Sequence, residues 1–339
     1  MQTFAPTLEH SEPHFDPRTI FSLISREMAL VEAEYERQVS SNIQVIDYLG
    51  EYLRSSGGKR VRPALLILAN RSVGGAGTEG KVIRLATVME MLHTATLVHD
   101  DIIDNAGIRR TRPSVNARFG NETAVLMGDW LYMSAFETTV RERSLQIIDI
   151  LTRLTRKMTE GELIQLTQIG RVDISEDEYF DILSRKTAFL FSACCEVGAI
   201  LAGSSVEQQL ALSDYGINLG IAFQLADDVL DITADSVVLG KAAGTDLLEG
   251  KLTLPLIYLL QKDPSLKAKL QAVISGASYE AFSREELVDL LHENDVFANI
   301  KQRANEHVAL ARKSLAVLPD SEYRSCLDDV LTFVKSRRS

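Results

Sequence analysis

The chain has 339 residues, 45% hydrophobic and 24% charged, so it can bury a sizeable core and does not read as a disordered polymer. Asp and Glu (47) outnumber Lys and Arg (36), and the formal charge of −11 disfavours a general binder of DNA or of an anionic membrane face. Three cysteines, Cys194, Cys195 and Cys326, contain no CxxC pair; this argues against a disulfide framework or a zinc site, and a reducing cytoplasm fits best.

Residues 1–17 carry neither an apolar core nor an Arg-rich amphipathic pattern, so they read as a loose tail and not as a signal or transit peptide. One domain is expected over 18–339. Helical periodicity runs from about Thr19 to Val39 and from about Ile43 to Ser55, where Ser55-Ser56-Gly57-Gly58 breaks it. Helix resumes near Arg62-Pro63, ends at Gly74-Gly75-Ala76-Gly77, and returns from about Glu79 to Asp104. Further helices are expected at 121–141, 144–169, 175–203, 206–232, 253–261, 265–275, 283–292, 295–316 and 321–336. The Gly-rich segment 233–250 reads as a loop, and neither β alternation nor a short internal repeat is present. No apolar stretch approaches the roughly 20 residues that span a bilayer. The expected fold is all-α, a single large helical bundle around a central cavity.

Two aspartate motifs carry the chemistry. In HTATLVHDDIID (93–104), Asp100 and Asp104 are four apart and share a helical face with His93. In FQLADDVLD (223–231), Gln224, Asp227, Asp228 and Asp231 again fall on one face. One such motif alone is often a solvated acidic surface, but two within otherwise apolar helices call for hard divalent cations with oxygen ligands. Magnesium favours sparse carboxylates together with a diphosphate. Cations suited to diphosphates surround the motifs: Lys59, Arg60 and Arg62 at a helix start after two glycines, Arg109-Arg110, Lys186-Thr187 within an apolar helix, and Lys241 and Lys251 flanking the Gly-rich loop.

Together GGKRVRP (57–63), HTATLVHDDIID (93–104), Arg109-Arg110, GDWLYMSAF (128–136), Lys186-Thr187-Ala188, FQLADDVLD (223–231) and GKAAGTDLLEGKLTLP (240–255) resemble the trans-isoprenyl diphosphate synthase family, and especially its medium- and long-chain members. The resemblance implies a homodimer with one active site per subunit and three magnesium ions in each. Asp100 and Asp104 would ligate two of these and Asp227 a third, with Asp101, Asp228 and Asp231 as further ligands or supporting groups. Arg109, Lys186, Thr187, Gln224, Lys241 and Lys251 match positions that hold an allylic diphosphate. Lys59, Arg62, His93 and Arg110 match positions that hold isopentenyl diphosphate, which a basic tail (Arg337-Arg338) would cover.

The implied reaction ionises the allylic diphosphate and adds the isopentenyl double bond to the cation, in a cavity closed to water. Product length should depend on the residues one turn before Asp100. Ala95 and Thr96 are small where family members with bulky aromatics stop early, so deeper residues, Leu92 and Tyr132 among them, would set the floor. The expected product is a medium-to-long all-trans polyprenyl diphosphate; the alternative is a short-chain geranyl, farnesyl or geranylgeranyl diphosphate. Intact aspartates and arginines speak against an inactive partner subunit, and neither a nucleic acid nor a membrane span is expected.

Overall fold

The structure, a computed structural model, describes residues 22–110, 112–233 and 244–336. First come α1 (Ser25–Val39), α2 (Gln44–Ser55), α3 (Val61–Ser72) and α4 (Gly80–Ile103). An antiparallel pair, β1 (Ile108–Arg109) and β2 (Arg112–Pro113), departs by four residues from the all-α expectation. Next are α5 (Val115–Phe119), α6 (Asn121–Arg141), α7 (Leu145–Gln168), α8 (Glu176–Leu183), a π-helical turn (Ser184–Ala188), α9 (Phe189–Leu201) and α10 (Val206–Thr233). The chain closes with α11 (Thr245–Leu248), α12 (Leu254–Lys262), α13 (Lys267–Gly276), α14 (Arg284–Glu293), α15 (Val296–Ser314) and α16 (Glu322–Ser336). Residues 1–17, Lys241 and Arg337-Arg338 lie outside the described residues.

Serines start several of these helices by accepting a backbone N–H three residues on. Ser144 caps α7 through Ile147, and Ser283 caps α14 through Glu286. At α8 the cap is reciprocal: Glu178 N–H donates to Ser175 Oγ at 3.2 Å, and Ser175 N–H donates to Glu178 Oε2 at 2.8 Å.

The hydrophobic core holds α4 in place. Leu85, Val88, Met89 and Leu92 are no more than 1% exposed, and burying each contributes about 1.5–3 kcal/mol. Buried residues form two clusters that meet along α10, with Leu212, Leu219 and Ala222 in one and Ile221, Leu225 and Ile232 in the other. A β-carbon at Gly216 would meet the backbone of Phe191 and Ser192, and one at Gly220 would lie 2.6 Å from Ala188 Cα. These two glycines, one turn apart, therefore let α10 lie directly on α9 and on the π turn.

The periodicity over 175–203 predicts one continuous helix, but the structure widens it to a π turn at Ser184–Ala188. Close packing on two sides accompanies this widening: a β-carbon at Gly161 of α7 would meet Arg185 and Lys186, as one at Gly220 would meet Ala188. Single π turns occur often at functional sites, and this one carries Lys186 and Thr187.

Candidate active site

α4, α7, α8, the π turn, α10 and the segment 246–253 enclose a cavity of about 360 Å³. Asp100, Arg109, Lys186, Thr187, Gln224, Asp228 and Lys251 line it, so residues from both aspartate motifs face one space. Gln165, Tyr179 and Asp246 share that lining.

On the α10 wall a chain of hydrogen bonds fixes the polar groups. Thr187 Oγ1 donates to Gln224 Oε1 at 3.0 Å, and Gln224 Nε2 donates to Asp228 Oδ1 at 2.8 Å. Tyr179 Oη donates to the other Asp228 oxygen, Oδ2, at 2.6 Å. Burial, then nearby Asp246, pushes Asp228 up to about 8. Burial likewise pushes Asp100 up to about 6. Both carboxyl groups are therefore costly to ionise until a cation arrives. Asp231 is buried, and its Oδ2 accepts the Asp246 N–H at 3.2 Å, which ties α11 to the end of α10.

On the facing side Lys251 Nζ lies 2.9 Å from Asp104 Oδ1 and 2.8 Å from Glu249 Oε2. Burial alone would lower the ammonium, but Asp104 and Glu249 hold it above the ordinary lysine value. Lys186 Nζ lies 2.5 Å from both Glu162 Oε2 and Gln165 Oε1 of α7. Asp101 is turned away from the cavity, 2% exposed, and Arg109 Nε donates to its Oδ1 at 2.7 Å.

Beside that pair is a basic cluster. Gly57, Arg60, Asp101, Arg109 and Arg110 line a small cavity of about 40 Å³. Gly57 has φ 69°, a left-handed conformation that suits glycine, and Arg110 donates to its carbonyl oxygen. Arg62 stacks over Phe191 with its Cζ 5.0 Å from the ring centroid. Burial, then Arg62, Arg110 and Arg109, hold His93 well below its ordinary value, so its imidazole is neutral near pH 7. Lys59 is exposed at the entrance to α3.

A further cavity of about 140 Å³ begins at Asp100 and Lys186 and is lined by Thr96, His99, Ile103, Tyr132, Met158, Thr159 and Glu162. Thr96 and Tyr132 thus share one space below the first aspartate motif. Ala95 and Leu92, 0% and 1% exposed, belong to the hydrophobic core and do not line it.

Among the described residues no three His, Cys, Asp or Glu side chains gather closely enough to hold a metal unaided. Magnesium favours one or two carboxylates completed by phosphate oxygens over an all-protein cage. Asp100, on the cavity wall with Lys186 and Lys251, offers a carboxylate of that kind, whereas Gln224 and Tyr179 take both oxygens of Asp228.

Sequence reasoning missed Glu162, Gln165 and Tyr179. Gly161, Glu162 and Gln165 place two polar groups at i and i+3 next to a helix-packing glycine, and Tyr179 stands two turns before Lys186. Those spacings were the available signal.

The polyprenyl synthetase family model matches residues 43–291. The octaprenyl diphosphate synthase of Escherichia coli (strain K12) is 39% identical over 311 residues, covering 91% of this chain and 95% of the relative. The all-trans-nonaprenyl-diphosphate synthase of Rhodobacter capsulatus is 35% identical over 310 residues, covering 91% of this chain and 94% of the relative. A crystal structure of a polyprenyl synthase from Caulobacter crescentus CB15, complexed with calcium and isoprenyl diphosphate, superposes with a TM-score of 0.90. It is 34% identical and covers 97% of this chain and 100% of that one. With both aspartate motifs opening on one cavity, the chain belongs to the polyprenyl synthetase family and is a prenyltransferase.

Proposed function

We propose that this protein condenses isopentenyl diphosphate with an allylic diphosphate, head to tail, to give a medium-to-long all-trans polyprenyl diphosphate. One observation carries the reading: residues of both aspartate motifs line one cavity, and a second cavity leads away from Asp100 past Thr96 to Tyr132 and Met158. The first space suits a diphosphate head and the second an apolar chain.

Magnesium, three ions per site and held by Asp100, Asp104, Asp227 and Asp231, would supply Lewis acidity toward the leaving diphosphate. Arg109, Lys186, Lys241 and Lys251 neutralise the allylic diphosphate, and Thr187 and Gln224 orient it. Lys59, Arg62, Arg110 and neutral His93 hold the isopentenyl diphosphate. As the allylic C–O bond breaks, the electron pair leaves with the diphosphate. The isopentenyl double bond then closes on the cation, and the departed diphosphate takes the proton released from the new chain. The Gln224 oxygen and the backbone carbonyls near Lys186 and Thr187 would stabilise the positive charge as it develops. Asp101 acts by holding Arg109, and Asp228 by holding Gln224.

A homodimer working in the cytoplasm is part of this reading. Leu126, Met133 and Val140 on α6, spaced by seven, are 68%, 63% and 46% exposed, which suits an apolar subunit contact. All three cysteines are buried thiols, as expected of a reducing compartment. No helix among the described residues is long and apolar enough to cross a membrane.

The test is incubation with farnesyl diphosphate, labelled isopentenyl diphosphate and magnesium, followed by chromatography of the products by chain length. Chains longer than geranylgeranyl support the reading. A product ending at farnesyl or geranylgeranyl diphosphate would transfer the assignment to a short-chain synthase, and free prenyl alcohol alone would overturn the condensation.

A further inference from the structure

Arg60 stands apart from its basic neighbours. It is 9% exposed, and its φ of 48° puts a non-glycine residue in the left-handed region at the start of α3. Such a conformation costs about 1 kcal/mol and persists only where side-chain contacts hold it. Here they do. Arg60 Nε and Nη2 donate to the two carboxylate oxygens of Glu32, at 2.6 and 3.2 Å. Nη1 donates to Glu90 Oε1 at 2.9 Å, and the guanidinium lies 4.7 Å from the centroid of the Tyr35 ring. The side chain thus points into the protein, between α1 and α4, while Lys59 on one side of it is exposed.

Glu90 is 3% exposed, and its second oxygen, Oε2, is buried without a hydrogen-bond partner among the described residues. It sits on α4 one turn before His93 and ten residues before Asp100. At 1.5 Å per residue that separation is about 15 Å along one rigid helix. The Arg60–Glu90 contact therefore attaches the segment carrying Lys59 and Arg62 to the same helix that presents Asp100 and Asp104. Joining two substrates requires the reacting carbons about 3–3.5 Å apart, and a misplacement of 1 Å can cost about 100-fold in rate.

We propose that Glu90 is a positioning residue for isopentenyl diphosphate: through Arg60 it fixes the Lys59–Arg62 segment relative to the carboxylates of α4. This rests on the assignment of Lys59, Arg62, His93 and Arg110 to the isopentenyl site. Glu90 acts on the second substrate only, and it acts through Arg60 without touching the ligand.

The experiment is steady-state kinetics on Glu90→Gln, Arg60→Met and the double variant, with KM measured separately for each substrate and thermal unfolding as a check on folding. Wild-type protein is the control: if it forms no polyprenyl diphosphate, the proposed function fails and the positioning role is void with it. With active wild type, Glu90→Gln should raise KM for isopentenyl diphosphate about tenfold, equivalent to about 1.4 kcal/mol, and change KM for the allylic substrate less than about twofold. The double variant should be no worse than Arg60→Met alone, because both residues act along one path. Equal increases in both KM values, additive effects, or an unchanged isopentenyl KM would each overturn the proposal. If Glu90→Gln does not fold, Arg60→Lys carries the same test, since lysine keeps the charge but cannot fork between Glu32 and Glu90.

Discussion

Lys251 reaches Asp104, its Nζ 2.9 Å from Oδ1, and so joins the segment before α12 to the C-terminal end of α4. A half-buried ammonium held by two carboxylates is already organised for a diphosphate, which needs only to displace or share those contacts. Lys251→Ala should lower kcat/KM for the allylic substrate by about 10- to 100-fold, the value of one charge-assisted hydrogen bond. Initial rates against allylic concentration at saturating isopentenyl diphosphate would measure it. An unchanged ratio would remove Lys251 from the site.

Asp100 on α4 and Asp227 on α10 are the leading carboxylates of the two aspartate motifs. Asp100→Ala or Asp227→Ala should abolish turnover, by more than about 1000-fold, while the helical circular dichroism stays that of the parent. Near-normal activity in either variant would refute the metal assignment.

The raised carboxyl groups give a pH dependence with a definite sign. Unfolded, each would titrate near 3.8; folded, Asp100 titrates at about 6 and Asp228 at about 8. The folded protein therefore holds protons that the unfolded chain has lost. Their contribution to stability is complete below about pH 4 and fades as pH rises through about 6 and then about 8. The melting temperature of the metal-free protein should fall over that window. Magnesium with inorganic diphosphate should raise it more at about pH 8.5 than at about pH 5.5, because protons no longer compete for the oxygens. Scanning calorimetry across pH decides this, and a flat profile would argue against it.

Thr96 and Tyr132 line the cavity below Asp100, whereas Ala95 is packed in the core. Thr96→Phe should shorten the product and Tyr132→Ala should lengthen it, both read by chromatography of the prenyl chains. Ala95→Phe should chiefly destabilise the fold, by about 1–3 kcal/mol from overpacking.

The α-helical architecture was legible because a 3.6-residue apolar period is a strong, local signal: α4, expected over Glu79–Asp104, is observed over Gly80–Ile103. The cations proposed for the diphosphates were legible only as residue types near the aspartates. Which neighbour of a helical pair faces a cavity was not, since Ala95 and Thr96 differ by about 100° around α4 and only the packing of α6 and α7 selects between them. The π turn was hidden because one extra residue in a helix barely disturbs the apolar pattern over 175–203. The pair at 108–113 has too few residues to alternate. Glu90, Glu162 and Tyr179 read as ordinary helix residues until tertiary contacts give each a partner.

Gly216 and Gly220 press α10 so closely against α9 and the π turn that even a methyl group would collide there. The helix that bears Gln224, Asp227 and Asp228 is therefore closed to variation on its rear as well as on its working face. Thr96, Tyr132 and Met158 belong to other helices and are not among the groups those two glycines meet. Heritable change in what is made can accumulate on one wall without disturbing how it is made on the other, and a protein engineer altering the size of the product inherits the same division of labour.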